Sequence, residues 1–205
     1  QFNNDVDFSF KDLYFALNYR IRTGIFTIDP GLTLHFYDNI NTQLGQTFAK
    51  DISDVRPNLR VNMQFKKNEN LRFTYRKNTQ FTDVNNISEG YVFNNYNSIF
   101  RGNRELEAAI VNSYNLNYRS INQFTFTNIF SNVSYSKREN SIQSRAAIDG
   151  INSVRTAENS IFPRETYSAR ARLDKRFKNI KINLSANIRY SEFSNIINDV
   201  VNNAE

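Results

Sequence analysis

The chain has no cysteine, and it has only a single histidine among its 205 residues. Without cysteine there is no disulfide framework and no thiolate metal site. No stretch approaches the roughly 18 consecutive apolar residues of a membrane-spanning helix. These absences exclude an α-helical membrane protein. They do not exclude a β-barrel, because half of each barrel strand faces water and the mean hydropathy averages out.

Signatures of catalysis and of nucleic-acid binding are also missing. No glycine-rich phosphate loop leads from a strand into a helix, no nucleophile elbow appears, and His35 alone cannot form a triad. His35 has no local partners for a metal site, so a passive lining residue is expected there. The formal charge of +6 comes from basic residues spread singly along the chain. We therefore expect no enzyme, no cofactor, no metal and no nucleic-acid partner.

The main positive signal is strict alternation of apolar and polar residues, which is typical of two-faced β-strands. Neighbouring alternating segments are joined by short turns, at 23–24, 66–70, 119–122 and 178–179. Three long polar stretches without periodicity separate these pairs, at 38–56, 77–109 and 137–163. Short and long connections between the predicted strands therefore alternate along the chain.

Strand length and loop asymmetry together indicate the class of protein. The alternating segments run for about ten residues or more, and a tilted transmembrane strand needs roughly 9 to 11. Strands of soluble sandwiches are nearer five or six residues. The sequence therefore predicts an all-β fold, an antiparallel meander of about eight long strands. These strands would form part of a transmembrane β-barrel with short periplasmic turns and long extracellular loops.

The two faces of the predicted strands differ in chemistry. The polar face carries arginines that a soluble core would not accept without paired acids, whereas a barrel lumen solvates them. Six basic residues are predicted to face the lumen: Arg60, Arg72, Arg76, Arg170, Arg172 and Arg189. Tyrosines near strand ends are predicted to form aromatic girdles at the membrane interfaces: Tyr19, Tyr75, Tyr118, Tyr135 and Tyr190. The facing of 123–136 stays open, because Phe124, Phe126 and Phe130 compete with Ile129, Val133 and Tyr135.

Aromatic residues in the long polar stretches are candidates for contact with cargo or a partner. They could stack on sugar rings or on a hydrophobic cargo at the cell surface; packing of the loops against themselves is the alternative. The candidates are Phe81, Tyr91, Phe93, Tyr96 and Phe100.

The segment from Leu71 to Arg119 resembles the barrel region of the Bacteroidota (SusC-like) outer-membrane β-barrel family related to TonB-dependent receptors. In that family a long outer loop leads to a Gly-Asn-Pro-x-Leu segment that starts the next strand. Gly102, Asn103 and Leu106 match this segment, and Arg104 replaces the usual proline. The stretches 28–36 (IDPGLTLHF) and 57–76 are similar to the family's Pro-Gly-Leu strand and hairpin.

The resemblance implies a large barrel, of roughly 22 strands, in the outer membrane of a Gram-negative bacterium. It implies uptake of a nutrient such as a glycan, a siderophore or a peptide. Its implied partners are outer-membrane lipid, a plug domain and a periplasmic TonB-type energy transducer, with a surface lipoprotein left open. Residues 1–205 are expected to be a single partial barrel domain, without a plug domain and without a barrel-closing C-terminal strand.

Three alternatives stay open at this point. The chain could belong to a plugless barrel that anchors or docks other surface proteins. It could be a complete small barrel of eight strands, whose first and last strands would pair. It could also be a soluble β-sandwich acting as a binding module.

Overall fold

The computed structural model describes residues 6–198 and 200–204, and most of them lie in strands. Eight strands are long, with 12 to 21 residues each: β1 (Val6–Asn18), β3 (Phe26–Gln43), β4 (Gln46–Lys66), β5 (Glu69–Gln80), β8 (Ala109–Asn122), β9 (Thr127–Glu139), β12 (Arg164–Phe177) and β13 (Ile180–Ile197). Six are shorter: β2 (Ile21–Thr23), β6 (Tyr91–Asn95), β7 (Ser98–Arg101), β10 (Ile142–Asp149), β11 (Asn152–Asn159) and β14 (Val200–Ala204). One short helix, α1, spans Val84–Ile87. No helix in the described part of the chain is long and apolar enough to cross a membrane.

The eight long strands form one wall in which each strand pairs antiparallel with its neighbours, in the order β1-β3-β4-β5-β8-β9-β12-β13. The predicted meander of eight long strands is therefore confirmed. Because cross-strand partners point to the same side of a sheet, the alternating apolar residues of all eight strands share one face. That face has no covering layer among the described residues: Leu17 is 73% exposed and Ile188 71% exposed. The soluble-sandwich interpretation is wrong, because a sandwich would bury these side chains against a second sheet.

Tight turns join the long strands at one end of the wall. They lie at 24–25, 67–68, 123–126 and 178–179, and Gly24 and Lys178 adopt the left-handed φ values of 54° and 45°. The third turn comes four residues later than predicted, because β8 continues to Asn122. The Asn122 side-chain oxygen accepts hydrogen bonds from the backbone N–H groups of Phe124 and Thr125, each at 3.0 Å, and so stabilises the turn.

The prediction of a loop over 38–56 is wrong. β3 continues to Gln43, a two-residue turn at Leu44 and Gly45 reverses the chain with φ values of 52° and 74°, and β4 begins at Gln46. Both strands thus extend well past the apolar part of the wall. Periodicity is lost there because a strand that meets polar surroundings on both faces has no need to alternate.

The two other long stretches contain hairpins of their own. In 77–109, β5 runs on to Gln80 and is followed by α1 and the hairpin β6–β7; in 137–163, β9 runs on to Glu139 and is followed by the hairpin β10–β11. β7 pairs in parallel with β11, so β10, β11, β7 and β6 form a four-stranded outer hairpin sheet. The two stretches therefore meet beyond the wall.

The register settles the facing of β9. Tyr135 pairs with Tyr114 and Tyr167, and Val133 pairs with Leu116, so the odd-numbered residues of β9 join the apolar face. Phe130 lies on the opposite face, and Phe124 is 97% exposed in the turn.

The interpretation as a complete eight-stranded barrel is also wrong. Such a barrel would pair its first and last long strands, but within the described residues β1 pairs with β3 alone, and β13 pairs with β12, β10 and β14.

Candidate functional site

A row of five tyrosines marks the border of the apolar face. One tyrosine comes from each of five adjacent strands, in direct register, and neighbouring rings lie 4.7 to 6.3 Å apart. These are Tyr75, Tyr114, Tyr135, Tyr167 and Tyr190. The next residues on the same face, away from the turns, are polar or charged: Asn112, Lys137, Glu165 and Glu192. On the other side of the row lie Phe73, Leu116, Val133, Ala169 and Ile188.

The tyrosine hydroxyls point towards the charged side of this border. Tyr75 Oη donates to Asn112 Oδ1 at 3.0 Å, and Tyr167 Oη donates to Glu165 Oε2 at 2.7 Å. An apolar ring body with a wet hydroxyl suits a membrane–water interface. The row contains three of the predicted girdle residues and adds Tyr114 and Tyr167. The alternation alone could not distinguish these two from the other residues of the apolar face.

The other two predicted girdle residues lie nearer the short turns. Tyr118 Oη donates to Glu69 Oε1 at 2.9 Å, beside the turn at 67–68. The Tyr19 backbone N–H donates to the Pro30 carbonyl at 3.0 Å, and these two residues flank the turn at 24–25.

All six predicted lumen arginines lie on the polar face of the wall, and their register partners there are polar except for Phe130, which lies opposite Arg172. Arg72 and Arg170 share one row with Asn117 and Asn132 between them. An open groove of about 560 Å³ is lined by these two residues together with Arg119 and Arg172. Among the described residues, Arg172 pairs with Asp174 at 3.0 Å, whereas Arg72 and Arg170 have no acidic partner.

A second open groove on the polar face, of about 610 Å³, lies against β1, β3, β4 and β5. Arg20, Arg56, Arg60 and Arg76 line it, and Asp29 is the acidic residue of its lining, in an ion pair with Arg20. The polar face is therefore rich in positive charge in both grooves.

An aromatic cluster occupies the polar face further from the turns. The ring of His35 stacks between Tyr14 and Tyr37, with centroids 5.5 and 5.3 Å away, and its Nδ1 lies 2.9 Å from Asp12 Oδ1. Phe81 packs edge-on against Tyr37 at 4.6 Å. His35 is thus a packed wall residue, and within the described chain no group of three or more His, Cys, Asp or Glu side chains could hold a metal.

The five candidate aromatics of the outer stretches have different surroundings. Phe81 is packed in this cluster, which leaves it little area for cargo. Phe93 is 60% exposed on β6, and Tyr96 is 91% exposed in the β6–β7 turn. Tyr91 is also exposed, with the Arg101 guanidinium 5.8 Å from its ring centroid. Phe100 lies on β7 opposite Val92 and is half-buried.

The Gly102 motif fastens the outer loop to the segment around α1. The backbone N–H of Gly102 donates to the Ser88 carbonyl at 2.8 Å, and that of Asn103 to the Asn86 carbonyl at 2.7 Å. A Cβ at position 102 would collide with both of those carbonyl oxygens, so only glycine fits. Arg104, which replaces the family's proline, pairs with Glu89 and lies 5.6 Å from the ring of Phe48.

A small pocket of about 50 Å³ lies between this loop, β1, β3 and β4. Its lining includes Asn39, Asn41, Phe48, Arg104 and Leu106. Sequence reasoning missed it, because Asn39 and Asn41 fall in the stretch interpreted as an irregular loop. Two asparagines at i and i+2 lie on the same face if the segment is a strand, and this spacing was the sequence signal that could have indicated the pocket.

Over residues 3–205 the sequence matches the outer membrane protein beta-barrel family. The chain belongs to this family. Members of the outer membrane protein beta-barrel family reside in the outer membrane of Gram-negative bacteria, and so does this chain, with its apolar face against lipid. A search of the curated proteins finds no match.

Solved structures of outer-membrane receptors share the fold of this beta-barrel family member. The FrpB iron transporter from Neisseria meningitidis (F3-3 variant) superposes with a TM-score of 0.64 at 12% identity, over 93% of this chain and 27% of FrpB. The alcaligin receptor FauA from Bordetella pertussis gives 0.55 at 13% identity, over 91% and 31%. The siderophore receptor PirA from Pseudomonas aeruginosa gives 0.50 at 10% identity, over 92% and 50%. The chain thus spans about a quarter of the FrpB chain and half of PirA.

Proposed function

We propose that this chain is part of the wall of an outer-membrane transporter that takes up a nutrient. The observation that carries the proposal is the sidedness of the wall. One face carries an apolar band that ends at a tyrosine row, and the other carries arginines in two open grooves. A lipid-facing band with a charged, hydrated inner face is typical of barrels wide enough to hold water or a plug.

The proposed cargo is a glycan, a siderophore or a peptide, taken up with energy from a TonB-type transducer acting on a plug domain inside the barrel. The solved receptors with this fold are named for iron transport and for siderophores, which supports uptake as the role. In this proposal the six arginines face the lumen. Lack of enzymatic activity stays a prediction.

The proposal is tested by deleting the gene in its native host. Growth would be compared with limiting iron, with a glycan as carbon source, and with peptides as nitrogen source, in strains with and without the transducer. A growth defect on one nutrient class, matched by transducer loss and restored by the gene, supports energised uptake. Equal growth and equal uptake of labelled nutrient in all strains would contradict it.

One observation favours the second candidate, a docking barrel. The outer hairpin sheet exposes apolar side chains that neither pack on the wall nor line a groove of it, such as Phe93, Tyr96 and Ile151 at 60, 91 and 74% exposure. Exposed apolar area of this kind marks contact sites, for a surface lipoprotein among others. Loss of a co-purifying surface protein on deletion of β6–β7, with uptake unchanged, would favour docking over transport.

A further inference from the structure

The small pocket under the Gly102 loop holds three buried polar atoms without hydrogen-bond partners. These are the side-chain oxygens of Asn39 and Asn41 and the Nε of Arg104. Asn41 is only 6% exposed, and the Arg104 side chain only 8%. Buried polar atoms are almost always paired in folded proteins, so three unpaired atoms lining one pocket indicate that something polar binds there.

The unpaired atoms define which hydrogen bonds an occupant of the pocket must supply. Arg104 Nη2 already pairs with Glu89, which neutralises the guanidinium charge, and Nε is the buried nitrogen of this side chain that lacks an acceptor. Asn39 and Asn41 are two residues apart on one face of β3, roughly 7 Å along the strand. The occupant must therefore donate two hydrogen bonds to separate oxygens and accept one.

Most charged groups fail this requirement. A carboxylate has no hydrogen to donate to the two amide oxygens, an HPO4²⁻ ion has only one, and an ammonium group cannot accept from the Nε–H. A hydroxyl both donates and accepts, so two adjacent hydroxyls satisfy all three atoms.

The size and the lining of the pocket further limit the chemical class of the ligand. About 50 Å³ holds the edge of a ring but not a whole ring. Phe8 and Phe10 also line the pocket, are 37% and 39% exposed, and stack at 6.4 Å. A ring that extends from the pocket would therefore contact them.

We infer that this pocket binds the vicinal diol at the edge of a ring, with the ring body against Phe8 and Phe10. Sugars and catechols both carry this group. The inference rests on the proposed function for the role of the pocket, since it names the cargo chemistry that the outer end of the wall recognises.

The test is titration calorimetry on the full-length protein, purified in detergent. The two diol probes are methyl β-D-glucopyranoside and catechol; the comparators are tetrahydropyran, resorcinol and propionamide. We expect one diol to bind at least about tenfold more tightly than its comparator, because the comparator leaves buried groups unpaired. Binding by the glucoside identifies a sugar cargo, and binding by catechol identifies a catechol-bearing one.

Asn41→Leu removes one unpaired acceptor without removing volume, so the fold should persist while affinity for the diol falls by at least about tenfold. Asn187→Leu makes the same change on the polar face of β13, far from the pocket, and should bind like the wild type. Equal affinity in both variants, or tighter binding of propionamide than of either diol, overturns the inference. So does a crystal structure with each diol in which ordered water alone meets the three atoms.

These results separate the inference from the proposed function. If diol binding depends on Asn41 but nutrient uptake does not depend on the gene, the transporter proposal fails and the diol site stands. If uptake depends on the gene and Asn41→Leu transports and binds like the wild type, the diol site fails and the transporter proposal stands.

Discussion

At the scale of single residues, Gln43 links the end of the β3–β4 hairpin to the segment around α1. It is only 2% exposed, at the end of β3. Its Nε2 donates to the Ile87 carbonyl at 3.0 Å, and its Oε1 accepts from the Glu89 N–H at 2.9 Å. Both ends of the amide are therefore used, and both backbone groups depend on it.

We expect Gln43→Leu to loosen this loop, because two buried backbone groups lose their partner at a cost of about 1–3 kcal/mol each. Hydrogen exchange followed by mass spectrometry should show faster exchange at 84–90, with the wall strands unchanged. Gln46→Leu is the matched control, since Gln46 is the cross-strand neighbour of Gln43 and is exposed. Equal exchange in the two variants would mean that Gln43 does not hold the loop.

At the scale of elements, each wall strand presents one face to lipid and the other to the polar side. On β13, Ile188 is 71% exposed on the apolar face, while its neighbour Asn187 pairs with Arg170 on the polar face. Two adjacent residues of one strand thus meet different environments.

Leu184→Arg should destabilise the protein in lipid by about 2–4 kcal/mol, the cost of a cation in the middle of a bilayer, because Leu184 lies on the apolar face midway between the turn at 178–179 and Tyr190. Asn183→Arg, on the polar face opposite Asp174, should change stability by less than about 0.5 kcal/mol, as expected for a solvated substitution. Urea unfolding of the full-length protein in lipid vesicles measures both. The opposite order would reverse the assignment of the two faces.

At the scale of the whole molecule, turns and hairpins lie at opposite ends of the wall. The short turns lie at one end. The outer hairpin sheet and the tyrosine row lie towards the other. Barrels of this type keep short turns in the periplasm and longer connections outside the cell. The hairpin sheet is therefore expected to face the extracellular medium.

The absence of cysteine from these residues makes the orientation testable. In intact cells, a membrane-impermeant maleimide should label Tyr96→Cys, whose site is 91% exposed at the tip of β6–β7. Lys67→Cys, in an exposed short turn, should react only after the outer membrane is permeabilised. Labelling of Lys67→Cys in intact cells, with Tyr96→Cys protected, would invert the topology.

The sequence predicted the strands best where lipid constrains them. In β12 and β13 each lipid-facing residue must be apolar and each opposite residue polar, so period-two alternation survives in the sequence. In 38–56 and 137–163 the strands leave the bilayer and meet polar surroundings on both faces. Alternation disappears there, and the outer strands were mistaken for loops.

The candidate site was less predictable than the wall. The glycine motif at position 102 and the polar facing of the six arginines were predicted from the sequence, because those signals are local; their part in a site stays a prediction. Asn39, Asn41 and Arg104 meet only after β3 is extended past the band and the loop folds back over it. The spacing of these three residues along the chain therefore does not predict that they come together.

The sequence by itself determined the class of fold, the short turns and the chemistry of each strand face, because these depend on contacts with lipid, water and near neighbours. The tertiary structure alone decided which residues share a row. Tyr75 and Tyr190 are 115 positions apart, yet the register of four strand pairs places them in one line. Such alignment arises from hydrogen bonds between strands, which each strand's own sequence does not specify.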